Sequence, residues 1–94
     1  MSRPVIVLPR AEVDLARLEE FLASKSPRAA NRAAIALAAA VDSLGESPER
    51  HPVLSRRGLR ELPVKFDRDG YVIQYRVVGE TVQVARIFHG RERR

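Results

Sequence analysis

Residues 71–89, YVIQYRVVGETVQVARIFH, constrain the fold more than any other stretch of the chain. Two runs rich in Val, Ile, Tyr and Thr flank Gly79-Glu80. A two-residue break containing glycine, set between β-prone runs, reads as a tight hairpin. With those residues at the turn, Val78 pairs with Thr81, and the register carries on to Gln74 with Ala85 and Val72 with Ile87. Tyr71, Ile73, Tyr75, Val77, Val82 and Val84 then share one face with Arg86 and Phe88, and this nearly apolar face is expected to meet the core. Val72, Gln74, Arg76, Val78, Thr81, Gln83, Ala85 and Ile87 share the other. That mixture suits a face that binds something more than one that is fully solvated.

The rest of the chain supplies cover for the apolar face. Val5-Ile6-Val7-Leu8, bounded by Pro4 and Pro9, predicts a strand that is apolar on both faces and lies inside a sheet or under helices. Residues 10–24 have helical period, with Ala11, Leu15, Leu18 and Leu22 on one stripe. Ser26-Pro27 starts a second helix, with serine as N-cap and proline in the first turn. Its stripe of Ala30, Ala34, Leu37, Val41 and Leu44 is surrounded by further alanines, which allow close helix approach, and Gly45 is read as its C-terminal cap. The two helices form an antiparallel hairpin. Residues 45–58 are a long basic connection, read as a solvated surface loop, with a partner-contacting loop as the alternative. Residues 59–66 alternate as a strand, and Pro63, which has no N–H to donate, places that strand at an edge or at a bulge. Asp67-Arg68-Asp69-Gly70 turns the chain, with Phe66 expected opposite Tyr71 and Lys65 joining the Gln74/Arg76 face.

The order is therefore strand, helical hairpin, then a three-stranded antiparallel meander. This is an α+β fold with the helices packed on one face of the sheet. At 94 residues the chain is expected to form one domain, residues 1–94.

Seventeen Lys and Arg against 12 Asp and Glu give a formal charge of +5, and only Lys25 and Lys65 are lysines. Arginine's planar fork suits carboxylate and phosphate partners. With no cysteine and only His51 and His89, thiolate chemistry is excluded and no metal site or cofactor is expected. No apolar run has signal-peptide or membrane-spanning length, so the expected location is cytoplasmic, with no membrane partner.

The element order and two strand patterns resemble the RelE/ParE toxin superfamily of bacterial type II toxin–antitoxin systems. The first pattern is Gly70, Tyr71, Tyr75 and Val77; the second is Val82, Val84, Arg86, Ile87, His89 and Arg91. The resemblance implies a toxin whose open, basic sheet face is covered by an antitoxin in a hetero-oligomeric complex. The face derived above supplies Val72, Gln74, Arg76, Gln83, Ala85 and Ile87 as candidate antitoxin contacts. Arg91, Arg93 and Arg94 are candidate target contacts.

RelE-like members cleave mRNA on the ribosome, whereas ParE-like members poison DNA gyrase without chemistry of their own. Cleavage through a 2′-hydroxyl needs a base, a general acid and a cation on the phosphate. The candidates for that work are His89 with Lys65, Arg76 and Arg91. Val72 stands where RelE-like members carry an arginine, and Pro63 stands where they carry a lysine. The Ile87-Phe88-His89-Gly90-Arg91 run is closer to ParE. The resemblance thus points to a gyrase inhibitor neutralised by a ParD-like antitoxin. The alternatives are a ribosome-dependent endoribonuclease and an antitoxin-binding module without toxicity.

Overall fold

The computed structural model describes residues 2–92. The chain runs β1 (Val5–Val7), α1 (Pro9–Ala23), α2 (Pro27–Ser43), β2 (Arg60–Val64), β3 (Tyr71–Val78) and β4 (Thr81–His89). The strands form one mixed sheet in the order β1-β4-β3-β2. β1 is parallel to β4, and the other neighbours are antiparallel. The expected α+β architecture is present, with β1 added to the meander as a fourth strand.

Local chemistry explains the helices. Pro9 lies in the first turn of α1, where a missing N–H costs nothing. The Ser26 hydroxyl accepts the Ala29 N–H at 3.1 Å and caps α2. Gly45, the residue after Leu44, is not the left-handed cap the sequence suggests, since its φ is not positive. Gly45 instead allows a close approach. Its carbonyl accepts the Arg3 N–H at 2.9 Å. A Cβ at Gly45 would stand 2.5 Å from Ser2 Oγ and 2.8 Å from the Arg3 carbonyl oxygen.

Leu18, Ala33, Leu37 and Leu44 from the helical side close on Ile73, Tyr75, Val82, Val84 and Ile87 from the sheet. Each large aliphatic group contributes about 1.5–3 kcal/mol by leaving water. β1 lies at the sheet edge rather than inside it, and Ile6 is 45% exposed. A three-residue strand between prolines makes an edge too short to recruit a long foreign strand.

The β3–β4 register departs from the sequence expectation halfway along. Val78/Thr81, Val77/Val82, Arg76/Gln83 and Tyr75/Val84 pair as expected. Gln74 then pairs with Arg86, Ile73 with Ile87, Val72 with Phe88 and Tyr71 with His89. Ala85 is the extra residue of a β-bulge.

The cause is Asp14 of α1. β1 stops beside Val84, where the Leu8 N–H bonds the Val84 carbonyl at 3.0 Å, and β4 has an uncovered edge beyond it. The buried Asp14 carboxylate takes that edge. It accepts the Ile87 N–H at 2.9 Å and the Arg86 Nε at 2.8 Å through Oδ2, and the Arg86 Nη2 at 3.2 Å through Oδ1.

The bulge inverts the faces of the last four residues of β4. Ile87, expected on the open face, is fully buried in the core, and Arg86 and Phe88 turn to the open side, where Phe88 stays buried at 7% exposure. A second correction concerns β2, where Val64, not Phe66, faces Tyr71. Phe66 has already left the strand, and its carbonyl accepts the Gly70 N–H at 2.9 Å. Gly70, at φ 66°, closes that turn, and a Cβ there would lie 2.4 Å from the Val64 carbonyl oxygen.

Candidate functional site

The sheet surface away from the helices carries Val72, Gln74, Arg76 and Val78 from β3. Gln83, Arg86 and Phe88 come from β4, and Glu61 and Pro63 from β2. Gln74 donates to the Glu61 carboxylate at 2.9 Å across the strand pair. The Arg86 guanidinium stands 4.6 Å from the Phe88 ring centroid and reaches round the β4 edge to Asp14. The Arg76 Nε is shielded from solvent and has no hydrogen-bond partner among the described residues. A half-buried cation with an unused donor suits a partner that brings an acceptor.

Of the candidate antitoxin contacts, Val72, Gln74, Arg76 and Gln83 lie together on this face, and Ala85 lies at the bulge beside them. Ile87 does not, for the reason given above. Lys65 is exposed just beyond β2.

His89 faces the other way. It pairs with Tyr71 on the helical side, with the rings 5.9 Å apart and edge-on. Its Nδ1 accepts the Arg91 N–H at 3.3 Å, and its own N–H donates to Glu92 Oε1 at 2.8 Å. Glu92 also meets Arg17 of α1 at 3.1 Å, and Arg17 stands 3.5 Å from Asp14. The chain after β4 is thereby tied to α1. His89 opens into a cleft of 580 Å³ walled by Leu18, Phe21, Leu22, Phe66 and Tyr71. Burial, with a smaller push from the Asp67 charge, raises the Tyr71 hydroxyl above its ordinary pKa of 10.0. The phenol is therefore neutral at physiological pH.

Of the four residues considered for RNA cleavage, His89 and Arg91 adjoin, whereas Arg76 is held apart from them. Arg76 sits on the open face near the Gly79 turn, and His89 sits on the helical face at the far end of the same sheet. Arg76 and the Tyr71 level are five residues apart on β3, roughly 16 Å at the rise of a strand. Arg91 is exposed on the turn after β4. Arg93 and Arg94 lie outside the described residues.

Sequence reasoning offers Asp14, with Glu12, as an acid for the head of Arg86 but misses its bond to the Ile87 N–H. Its signal was legible: a carboxylate three residues after Ala11 and four before Leu18, in the apolar stripe of α1. Burial on its own would raise its pKa. The Arg86 hydrogen bond, the Ile87 N–H and the charges of Arg86 and Arg17 overcome this and hold it below the ordinary 3.8.

Among the described residues no helix is long and apolar enough to cross a membrane. The family model for the ParE toxin of the type II toxin–antitoxin system parDE matches residues 5–94. "Toxin RelE1" of Caulobacter vibrioides is 43% identical over 94 residues, covering 100% of both chains. "Toxin RelE3" of the same organism is 42% identical over 89 residues, 92% of each chain. A solved structure titled "Chromosomal ParDE TA system from P. aeruginosa" shares the fold with a TM-score of 0.78 at 20% identity, covering 94% of this chain and 96% of that one. A match along nearly the whole sequence, with the two-helix and four-strand order and relatives above 40% identity, leads to one conclusion: the chain belongs to the ParE/RelE family of toxins of type II toxin–antitoxin systems.

Proposed function

We propose that this toxin acts by binding DNA gyrase, without bond chemistry of its own, and is neutralised by a ParD-like antitoxin laid over the open sheet face. The observation that carries the first part is the separation of Arg76 from His89 by both the thickness of the sheet and most of the length of β3. General acid–base cleavage needs its groups within hydrogen-bond reach of one phosphodiester. Val72 and Pro63 also leave two positions of the open face without the cations that RelE-like members carry there.

The antitoxin reading is supported by Val72, Gln74, Arg76, Gln83 and Ala85, together with the aliphatic groups of Val78 and Ile6, each 45% exposed. An acidic residue on the antitoxin would meet the unused Arg76 Nε. Arg91, with Arg93 and Arg94, contributes attraction toward an acidic target.

The name RelE carried by the relatives favours a second reading, cleavage of mRNA on the ribosome. One experiment separates the two. Purified toxin, freed of any partner, is assayed for inhibition of gyrase supercoiling and, in parallel, for cleavage of mRNA on ribosomes. Loss of supercoiling with intact mRNA is the expected result. Cleaved mRNA with normal supercoiling replaces the gyrase reading, and neither effect leaves an antitoxin-binding module without toxicity.

A further inference from the structure

Within the basic connection, which the sequence reads as a solvated or a partner-contacting loop, residues 53–59 form a built projection. Val53 makes an antiparallel bridge to Arg60 at the start of β2. The Leu54 N–H donates to the Leu59 carbonyl at 2.7 Å, and the Gly58 N–H to the Ser55 carbonyl at 3.1 Å. The Ser55 hydroxyl accepts the N–H groups of both Arg57 and Leu59, each at 3.2 Å. Gly58, at φ 74°, supplies the left-handed residue that closes the turn.

The base is anchored as well. The Tyr75 hydroxyl donates to the Pro48 carbonyl at 2.6 Å. Arg60 Nη1 donates to the Glu49 carbonyl at 3.1 Å and to that of His51.

What this frame presents is unusual for a surface turn. Val53 is 50% exposed and Leu54 is 60% exposed, next to each other. Arg56 and Arg57 are exposed beside them. From Arg50 to Arg60 the sequence contains no acid. An adjacent aliphatic pair held out by side-chain and backbone hydrogen bonds gains nothing from the fold. Its charge surroundings also define the complement, which is acidic.

The mixture further separates partner classes. Protein interfaces combine an apolar centre with arginine and are poor in lysine. A nucleic-acid backbone is gripped by charge alone and has no need of an exposed Val-Leu pair. We propose that residues 53–59 are a docking finger for a protein target whose surface offers an apolar pocket rimmed by carboxylates. Leu54 is the anchor, and Arg56 and Arg57 are its charged flank. The proposal rests on the reading of the chain as a toxin with a macromolecular target, and does not depend on which target that is.

The test uses full-length toxin. Leu54→Asp combined with Arg57→Glu alters only exposed side chains, so thermal melting should match the parent. The expression level needed for growth arrest should rise at least tenfold, and binding to purified gyrase should weaken by a similar factor. Ser55→Ala keeps Leu54, Arg56 and Arg57 but removes the acceptor of two N–H groups, and it should reduce potency a few-fold. Arrest by the double variant at the parent's expression level overturns the proposal. So does tight, salt-sensitive binding of the parent to a 20-bp duplex that the double variant loses, which would make the partner nucleic acid. If the parent arrests growth yet spares gyrase, the gyrase reading fails. The finger is then still decided by the arrest assay, since that assay is blind to target identity. A parent that causes no arrest overturns both.

Discussion

From Val78/Thr81 to Tyr75/Val84 the β3–β4 hairpin is held by its own turn; from Gln74/Arg86 to Tyr71/His89 it is held by a helix. In the first half Gly79 adopts φ 57° and the pairs follow one another without interruption. In the second half an Asp14 carboxylate from α1 occupies the edge of β4 and draws in one extra residue. The two halves have similar β propensity, yet only one obeys the count from the turn. A tight turn sets register for a few residues, until a stronger acceptor competes for the backbone N–H groups. A buried carboxylate with two N–H donors on one oxygen is such an acceptor.

The largest effect that tests this contrast is at Ile87. With the bulge, Ile87 lies in the core, so Ile87→Ala should cost about 2–5 kcal/mol in urea unfolding. Gln83→Ala, on the open face of the regular half, should stay within about 0.5 kcal/mol. Similar small values for both would restore the uninterrupted register. For the same reason Ile87→Glu is a folding variant, not a probe of antitoxin binding; Gln83 and Val78 are the open-face positions for that purpose.

Asp14→Ala comes next. It leaves the Ile87 N–H and the Arg86 guanidinium without their acceptor, at about 3 kcal/mol. That is the low end for a buried pair, because the Arg86 side chain keeps 30% of its exposure. Acid titration sharpens the assignment. The folded-state pKa of Asp14 lies below its unfolded value near 3.8. Its contribution is therefore complete above that value and is lost as pH falls through the lower folded value. The stability gap between parent and Asp14→Ala should be flat from neutral pH down to about 4 and should shrink below it. A gap that widens on acidification would contradict the paired carboxylate.

Gly79→Ala is the smallest of the three. Nothing lies within 4 Å of a Cβ at Gly79, so only the left-handed backbone is penalised, by roughly 1–2 kcal/mol. Gly79→Asn should cost less, since asparagine tolerates that conformation. Equal stability of all three proteins would remove the turn as the source of register in the upper half.

These positions also show where the chain was readable. The start of α2 at Ser26-Pro27, the edge strand that Pro63 allows, and the turn at Gly79 all follow from single-residue chemistry. The open-face group Val72, Gln74, Arg76 and Gln83 follows from alternation, which needs only period two and one correct turn. Ile87, Phe88 and His89 did not follow, because their faces depend on a contact between residues 72 and 73 positions apart in sequence. The finger at residues 53–59 was legible only as part of a basic, irregular connection, either solvated or partner-contacting. Its order comes from Ser55 meeting two N–H groups, which no periodicity announces.

The sequence by itself determined the elements, their order, the apolar and mixed faces near the turn, and enough motif to point to the toxin family. Those are properties of local propensity and of spacing along one segment. Tertiary structure decided that β1 joins β4 in parallel at the edge and that Ala85 bulges. It also decided that His89 turns toward α1 while Arg76 stays on the open face. Each of these depends on which unpaired backbone groups meet which distant acceptor. Such an acceptor exists only after the helices and the sheet have come together.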